Sequence, residues 1–284
     1  MAIGISHAPA DVCLEDITMK QIKRYIAMAM AFCLGLSATA QTSEDKWEKW
    51  GPTNKTNDAG IIARVGYTFG GTSPMPIPAE IRGINEFKPK GGGQVGVDAY
   101  KMFSRRWGMQ FGWHFFHEGF HTSADVKNYR MSITMDGNSM SGYFTGCDVT
   151  NTELFGMTFP VLATFRISPR WNVSLGPYVS TYFKTTFEGE VYDNSKGVGY
   201  LRVDTPTGEK VNMDRNNPAT YDFGDQMRPW GAGVELQFDW KAMKHMNVFA
   251  QLDWGLAGAV NPDFEAVAFK MYPIYATVGL AYRY

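Results

Sequence analysis

The chain is constrained most by eight segments in which large apolar residues alternate with smaller or polar ones. A period of two is the side-chain period of a β-strand whose two faces meet different surroundings. In the last segment Ile274 and Leu280 occupy one face, and Thr277 and Gly279 the other. The eight predicted strands cover residues 59–71, 94–103, 107–120, 153–167, 171–187, 230–240, 247–260 and 271–284.

The connections between these strands alternate strictly between long and short. Bacterial outer-membrane barrels share this plan, with an even number of strands, short periplasmic turns and long outer loops. We therefore predict an all-β fold: an eight-stranded antiparallel up-and-down transmembrane β-barrel whose last strand pairs with its first. The long connections at residues 122–151 and 193–227 are predicted to be mostly loop, with residues 129–135 able to extend a hairpin.

The polarity of the two faces separates a membrane barrel from a soluble exported one. A soluble barrel packs its large apolar residues inside and exposes its charges. Here the apolar rows carry Trp and Tyr near their ends, where membrane barrels have aromatic girdles at the two interfaces, so we predict that these rows face lipid. The predicted girdle comprises Trp107, Trp113, Trp171, Trp230, Trp240, Trp254, Tyr272 and Tyr282.

The opposite rows carry charged side chains, which lie inside the barrel if the apolar rows face lipid. Buried charges require partners or water, and two arrangements satisfy this requirement. One is a salt-bridged plug and the other a narrow ion path, of which the plug is the usual solution in small barrels. Strand directions also bring Arg283 towards Asp239. The predicted interior charges are Arg64, Asp98, Glu118, Arg166, Lys184, Glu235, Asp239, Asp253 and Arg283.

An export signal precedes the predicted barrel. Residues 19–40 combine basic residues, an apolar core and the small-residue site Ala38-Thr39-Ala40, as in a cleaved signal peptide. We expect Met19 to be the initiator, residues 1–40 to be absent from the mature protein, residues 41–58 to form a periplasmic extension and residues 59–284 to form the barrel.

Charge and cysteine content exclude some classes of function. The net charge of −1 argues against a nucleic-acid partner, which would need a basic excess. Once the leader is removed, Cys147 is the last cysteine and cannot form an internal disulfide. No cofactor is expected.

Two histidine motifs suggest chemistry. His114 and Glu118 fall on one face of a strand and His117 and His121 on the other, so they cannot share one metal ion and we predict no metal site. His121 and Ser123 share a face, as in membrane-embedded lipid deacylases. No accompanying acid or oxyanion site is visible, so we expect no enzyme and no catalytic residue.

A family resemblance rests on residues 152–183, which contain the step Gly176-Pro177-Tyr178, on the strand WGAGVELQF, and on the ending GLAYRY. These stretches resemble the outer-membrane β-barrel family common in Bacteroidota, the PorT-like group. The resemblance implies a bacterial outer-membrane protein without fixing its activity.

The expected function is a non-catalytic barrel whose extracellular loops bind a ligand or support the envelope. A narrow porin-like channel is the alternative, and a lipid-modifying enzyme is a weaker one. The expected partners are outer-membrane lipid and lipopolysaccharide, the barrel-assembly machinery, and an extracellular or envelope protein or glycan. Because such barrels commonly end on an aromatic residue, Tyr282 and Tyr284 form the predicted assembly signal.

Overall fold

A computed structural model of the chain describes residues 58–75, 77–135, 137–261 and 270–284. The predicted signal peptide and nearly all of the predicted periplasmic extension lie outside these residues. The strands are β1 (Ala59–Pro74), β2 (Ile81–Pro89), β3 (Gly92–Met102), β4 (Trp107–Met135), β5 (Asn138–Arg166), β6 (Trp171–Tyr192), β7 (Tyr200–Val203), β8 (Lys210–Asn212), β9 (Ala219–Asp222), β10 (Trp230–Lys241), β11 (Met246–Gly255) and β12 (Met271–Arg283), and a 3-10 turn covers Gly224–Gln226.

Eight of the described strands form a closed antiparallel ring in the order β1, β3, β4, β5, β6, β10, β11 and β12. The ring closes where β12 pairs with β1, from Ile62 opposite Arg283 to Pro74 opposite Met271. Closure leaves the ring without an unpaired edge. The predicted fold and the predicted pairing of the last strand with the first are both confirmed.

Short turns join the ring strands at one end. Ser104 and Ser168 accept hydrogen bonds from the backbone N–H groups of Trp107 and Trp171 at 3.0 and 3.2 Å, which are local bonds that favour a tight turn. The third turn joins β10 to β11 between Lys241 and Met246. Among the residues that the structure describes, no helix is long and apolar enough to cross a membrane.

At the other end, strands continue far beyond their predicted limits. β4 and β5 each contain 29 residues and remain paired up to Met135 opposite Asn138. The prediction that residues 122–151 are mostly loop is therefore wrong. A bulge between Val126 and Tyr129, where Asn128 has a φ of 56°, shifts the alternation by one residue and hides the strand in the sequence pattern.

The other long connections also contain strands that widen this end of the sheet. β2 pairs with β4, the β7–β8 hairpin adds to β5, and β9 pairs with β6 and touches β4. We call these short strands, together with β4, β5 and β6 beyond Glu118, Leu154 and Thr185, the extension. The remainder of the closed sheet is the basal ring.

Candidate functional site

The interior of the basal ring is organised around Arg64. Its guanidinium group forms one salt bridge with Asp98 and another with Asp239, the latter at 2.8 Å from Nη1 to Oδ1. The guanidinium also lies over the ring of Phe249, 5.0 Å from the ring centre. Asp98 additionally bonds to Nε2 of His114 at 2.8 Å. A buried cation thus has two carboxylate partners, as the desolvation of a buried charge requires.

Amide side chains extend this cluster across the lumen. Gln94 bonds to Nδ1 of His114 at 2.9 Å and donates to Gln251 at 3.2 Å. Gln110 donates to Gln237 at 3.3 Å, and Gln237 in turn donates to Asp239. These groups fill the interior with hydrogen bonds between strands on opposite walls. Sequence reasoning placed the glutamines on the inward rows but did not single them out, because a neutral amide signals a site less strongly than a charge.

Three predicted interior carboxylates lie farther towards the extension. Glu118 and Glu235 are buried, and Asp253 accepts a hydrogen bond from Gln251 at 2.8 Å. The carboxyl groups of Glu235 and Asp253 lie at hydrogen-bonding distance from each other, and no donor group of another described residue reaches either oxygen of Glu235. None of the three forms a salt bridge with a described residue, so the predicted interior charges divide into a paired group and an unpaired acidic group.

A second ion-pair cluster closes the short-turn end. Asp58 accepts from Arg283 at 2.7 Å and from Arg166 at 3.0 Å, and Arg283 also donates to the Tyr100 hydroxyl at 2.8 Å. Although burial acts to raise it, the two guanidinium groups hold the pKa of Asp58 below its ordinary value. The predicted contact between Arg283 and Asp239 is wrong, because Asp58 engages Arg283 and Arg64 engages Asp239.

Lys184 does not lie inside. A bulge shifts the register between β5 and β6 at Phe155 and Gly156, so that Lys184 pairs with Phe155 on the outer face. The side chain is exposed there. The extra residue in β6 moves every later side chain to the opposite face, which a strict period of two could not anticipate.

Within the extension the inner face becomes apolar. Phe144, Ile133 and Met131 are almost completely buried, and they belong to a core cluster built from β4, β5, β6, β7 and β9. The outer face of the same strands is polar and carries Arg130, whose guanidinium lies 3.6 Å from Asp204. The extension therefore packs like a water-soluble sheet domain, with an apolar inside and a polar outside.

The first histidine motif is divided between the two faces of β4, as predicted. His114 is buried inside the ring, and His117 points to the outer face. His121 bonds to Asn151 at 2.8 Å and Ser123 bonds to Cys147 at 3.3 Å, and His121 and Ser123 do not bond to each other. In the described ranges no group of three or more His, Cys, Asp or Glu residues is arranged to hold a metal ion.

Comparison with known proteins supplies the family. Residues 39–260 match the model of the outer membrane protein beta-barrel domain. The chain belongs to that family. It is a bacterial outer-membrane protein, and its ring of eight antiparallel strands is the membrane barrel. No curated protein matches the sequence.

Three solved structures of outer-membrane barrels are similar to this family member at low identity. The Neisserial surface protein A covers 80% of this chain and 99% of its own, at 12% identity and a TM-score of 0.38. Ail of Yersinia pestis, in complex with the heparin analogue sucrose octasulfate, matches 81% of this chain and 100% of its own, at 9% identity and a TM-score of 0.34. OprG of Pseudomonas aeruginosa matches 81% of this chain and 98% of its own, at 14% identity and a TM-score of 0.27.

The residues of the predicted aromatic girdle lie on the outer face of this outer-membrane barrel. At the periplasmic end Trp171 and Trp240 pack with ring centres 6.2 Å apart, and His245 stacks on Tyr282 at 5.7 Å. Trp107 packs on Phe165 at 4.8 Å. The other outward positions near strand ends are Trp230, Trp254 and Tyr272.

Trp113 departs from the predicted girdle. It faces outward on β4, but it lies six residues beyond Trp107. At about 3.3 Å per residue and a tilt of about 45°, this is about 14 Å above the periplasmic interface, near the middle of a band about 25 Å tall. Its indole N–H donates to Sδ of Met157 at 3.0 Å, which satisfies the polar group away from water.

Proposed function

We propose that this protein is a non-catalytic, non-conducting outer-membrane barrel that presents its extension as a binding surface outside the cell. The observation that carries the proposal is the contrast between a plugged basal ring and a sheet that continues well beyond the membrane band. A barrel wall needs about 9–11 residues per strand to cross the membrane, whereas β4 and β5 each have 29.

The packing of the extension supports a binding role. Its inner face is an ordinary apolar core, so the polar outer face is held in a defined conformation by the sheet beneath it. Aromatic and basic side chains are paired on this outer surface, with Lys210 over Tyr200 at 4.6 Å and Arg215 over Tyr192 at 5.2 Å. Ordering such side chains before binding reduces the entropic cost of forming an interface.

The interior network argues against the alternative of a porin-like channel. An eight-stranded barrel has room only for its own side chains, and here they are bonded across the lumen through Arg64 and the glutamines. The enzyme alternative gains no support from His121 and Ser123, whose polar atoms bond to other residues.

A planar-bilayer experiment tests the non-conducting part. We expect the purified mature protein to give no stepwise currents, and the combined variant Arg64→Ala, Asp98→Ala and Gln110→Ala to give them, because it removes groups that bridge the lumen. The variant also shows that the protein inserts. Stepwise currents from the unchanged protein would favour the channel.

Shortening the extension tests the binding part. Residues 127–145 are replaced by an Asn-Gly turn, which keeps β4 and β5 paired with Val126 opposite Gly146. Bacteria displaying the unchanged protein should adhere to one or more members of a panel of immobilised extracellular proteins and glycans, and the shortened form should not. Equal adhesion of both forms would contradict the proposal. Migration on an unboiled gel verifies that both barrels fold.

We also propose that the protein belongs to the PorT-like group, which the sequence of residues 152–183 supports. We further propose that the barrel-assembly machinery recognises Tyr284. Deleting Tyr284 should lower the yield of assembled barrel more than shortening the extension does. The fraction of heat-modifiable protein in isolated outer membranes measures this effect, and equal yields would contradict the role of Tyr284.

A further inference from the structure

Among the described residues, the barrel wall opens between the consecutive strands β1 and β2. β1 pairs with β3 only as far as Thr68 opposite Gly92. Beyond this point β1 continues to Pro74 paired with β12, whereas β2 pairs with β4, and no ladder between β1 and β2 exists in the described chain. Gly91, with a φ of +70°, stands where the chain passes from β2 to β3.

Side chains next to this gap are exposed although they belong to the inner face. Ile84 pairs with Ala124 and Phe87 with Thr122, both inward positions on β4, yet Ile84 and Phe87 are 60% and 50% exposed. Leu154, inward on the continuous wall, is 2% exposed. The inner face of β2 therefore borders open space rather than packed protein.

That space is a cavity of about 410 Å³ at the junction of the basal ring and the extension. Its volume falls in the range of about 300–1,000 Å³ that is usual for small-molecule sites. Phe87 stacks on Phe120 with ring centres 6.0 Å apart and lies close to Gly71 across the gap. Other apolar lining residues are Ile81, Val126, Met131, Phe187 and Ile274.

One polar cluster interrupts this apolar lining. The Tyr221 hydroxyl donates to Oδ1 of Asp148 at 2.8 Å, and Thr150 bonds to the same hydroxyl at 2.7 Å. Asp148 lines the cavity, and its other carboxylate oxygen bonds to no described residue. Asp148 forms no salt bridge with any described residue. Its second oxygen can therefore accept a hydrogen bond in a cavity whose lining is otherwise mostly apolar.

We propose that this cavity binds a small amphipathic molecule with an apolar body and a hydrogen-bond-donating end, an amine or an alcohol. The body packs against Phe120, Val126 and Met131, and the donating end bonds to Asp148. The gap between β1 and β2, just above the outer membrane interface, is the route of entry. This site is distinct from the outer surface that the proposed function uses and does not depend on it.

The test uses the mature protein in phospholipid nanodiscs with the fluorescent probe 1-aminoanthracene. We expect a saturable fluorescence increase above that of empty nanodiscs. Decylamine and 1-decanol should displace the probe at concentrations at least tenfold lower than decanoate, which repels Asp148 and offers no donor at neutral pH. A non-saturable signal equal to that of empty discs would overturn the proposal.

Matched variants on β4 test whether the probe binds on the inner or the outer side of the barrel wall. Ala124→Phe fills the cavity directly opposite Asp148 in the ladder and should abolish saturable binding, whereas Ser123→Phe points to the outer face and should leave it unchanged. Binding by Ala124→Phe equal to that of the unchanged protein would overturn the site.

Asp148→Asn tests the ligand class with a change that keeps the size of the side chain. The ratio of the displacing concentration of decanoate to that of decylamine should fall at least tenfold, because the carboxylate that accepts the hydrogen bond from the amine is gone. An unchanged ratio would overturn the assignment of Asp148. Gel migration before and after boiling verifies the fold of each variant, and Asp148→Asn keeps the test decisive if Ala124→Phe fails to assemble.

Discussion

Strand β4 passes through both the basal ring and the extension, and its inner and outer faces exchange character between them. In the ring, the inner positions Gln110 and His114 are polar and the outer position Phe111 is exposed. In the extension, the inner positions Met131 and Ile133 are buried. Lipid surrounds the ring and water surrounds the extension. The same period of two therefore places polar residues inside the ring and apolar residues inside the extension.

The comparison teaches that the two regions are held by different forces. The ring depends on paired charges and hydrogen bonds across its lumen, where each broken bond leaves a buried polar group unsatisfied. The extension depends on apolar burial, whose loss is graded with the volume removed. Variants matched between the two regions can separate these contributions.

The largest effect is expected from Arg64→Leu in the ring. Removing the guanidinium leaves the buried carboxylates of Asp98 and Asp239 without their shared cation, which should lower the free energy of unfolding by about 3–5 kcal/mol. Denaturation of the barrel in phospholipid vesicles measures this change. The matched variant Arg130→Leu breaks an exposed pair of the extension and should cost less than about 1 kcal/mol.

Neutralising the partners sharpens the same test. Adding Asp98→Asn and Asp239→Asn to Arg64→Leu should recover part of the loss, because the two carboxylates that Arg64 had neutralised are then uncharged amides. If the single and triple variants unfold alike, the Arg64 cluster does not stabilise the ring through charge pairing.

Phe144→Ala is the corresponding change in the extension. Truncating this fully buried ring should cost about 3 kcal/mol through lost burial and a cavity. Hydrogen exchange should accelerate in the paired ends of β4 and β5 and stay slow in the basal ring. Tyr143→Ala, which faces outward on the same strand, is the control, and acceleration spread evenly over both regions would contradict the division.

An arginine on the outer face distinguishes the two surrounding solvents. Leu175→Arg, near the middle of the membrane band, should destabilise the barrel by about 2 kcal/mol or more, because the charge faces hydrocarbon. Ser141→Arg, exposed on the outer face of the extension, should change stability by less than about 0.5 kcal/mol. If both variants lose similar amounts of stability when unfolded in vesicles, the boundary of the lipid does not lie between the ring and the extension.

The smallest effect concerns two aspartates outside the membrane band whose pKa values move in opposite directions. Burial raises the pKa of Asp148 to about 6 against the hydrogen bond from Tyr221, which lowers it. The folded state therefore binds more protons than the unfolded one between about pH 4 and 6, and stability falls as pH rises through that range. Asp148→Asn should be more stable than the unchanged protein at pH 8, by about 1 kcal/mol, and not at pH 4.

Asp58 should show the opposite dependence. Its pKa is lowered because Arg283 and Arg166 outweigh the effect of burial, so its contribution is present at neutral pH and is lost as pH falls below the ordinary aspartate range. Asp58→Asn should destabilise the protein at pH 7, and this effect should shrink as the pH falls below the ordinary aspartate range. Unfolding midpoints of both variants against pH provide the comparison, and parallel curves would contradict both assignments.

Much of the basal ring could be predicted from the sequence. Alternating rows located its eight strands, because every wall position meets either lipid or the interior. Arg64, Asp98 and Asp239 were placed inside for the same reason, although their partners were not known. His114 was placed on an inward face as part of a possible metal motif, and its bond to Asp98 emerged only in three dimensions.

The extension and its cavity could not be predicted in this way. The bulge at residues 127–128 interrupts the period, and the exchange of polar and apolar faces makes the strand resemble a polar loop. A second bulge at Phe183 moved Lys184 outward. Asp148, Thr150 and Tyr221 come from three strands far apart in sequence, so no local pattern links them.

The order of residues alone specified a closed, lipid-facing barrel with short turns at one end, because period and polarity act locally along each strand. Only the three-dimensional pairing decided which charges meet, where the wall opens between β1 and β2 and how far the sheet continues beyond the membrane. Those features depend on register and bulges, and a shift of one residue there exchanges the inside of the wall for the outside.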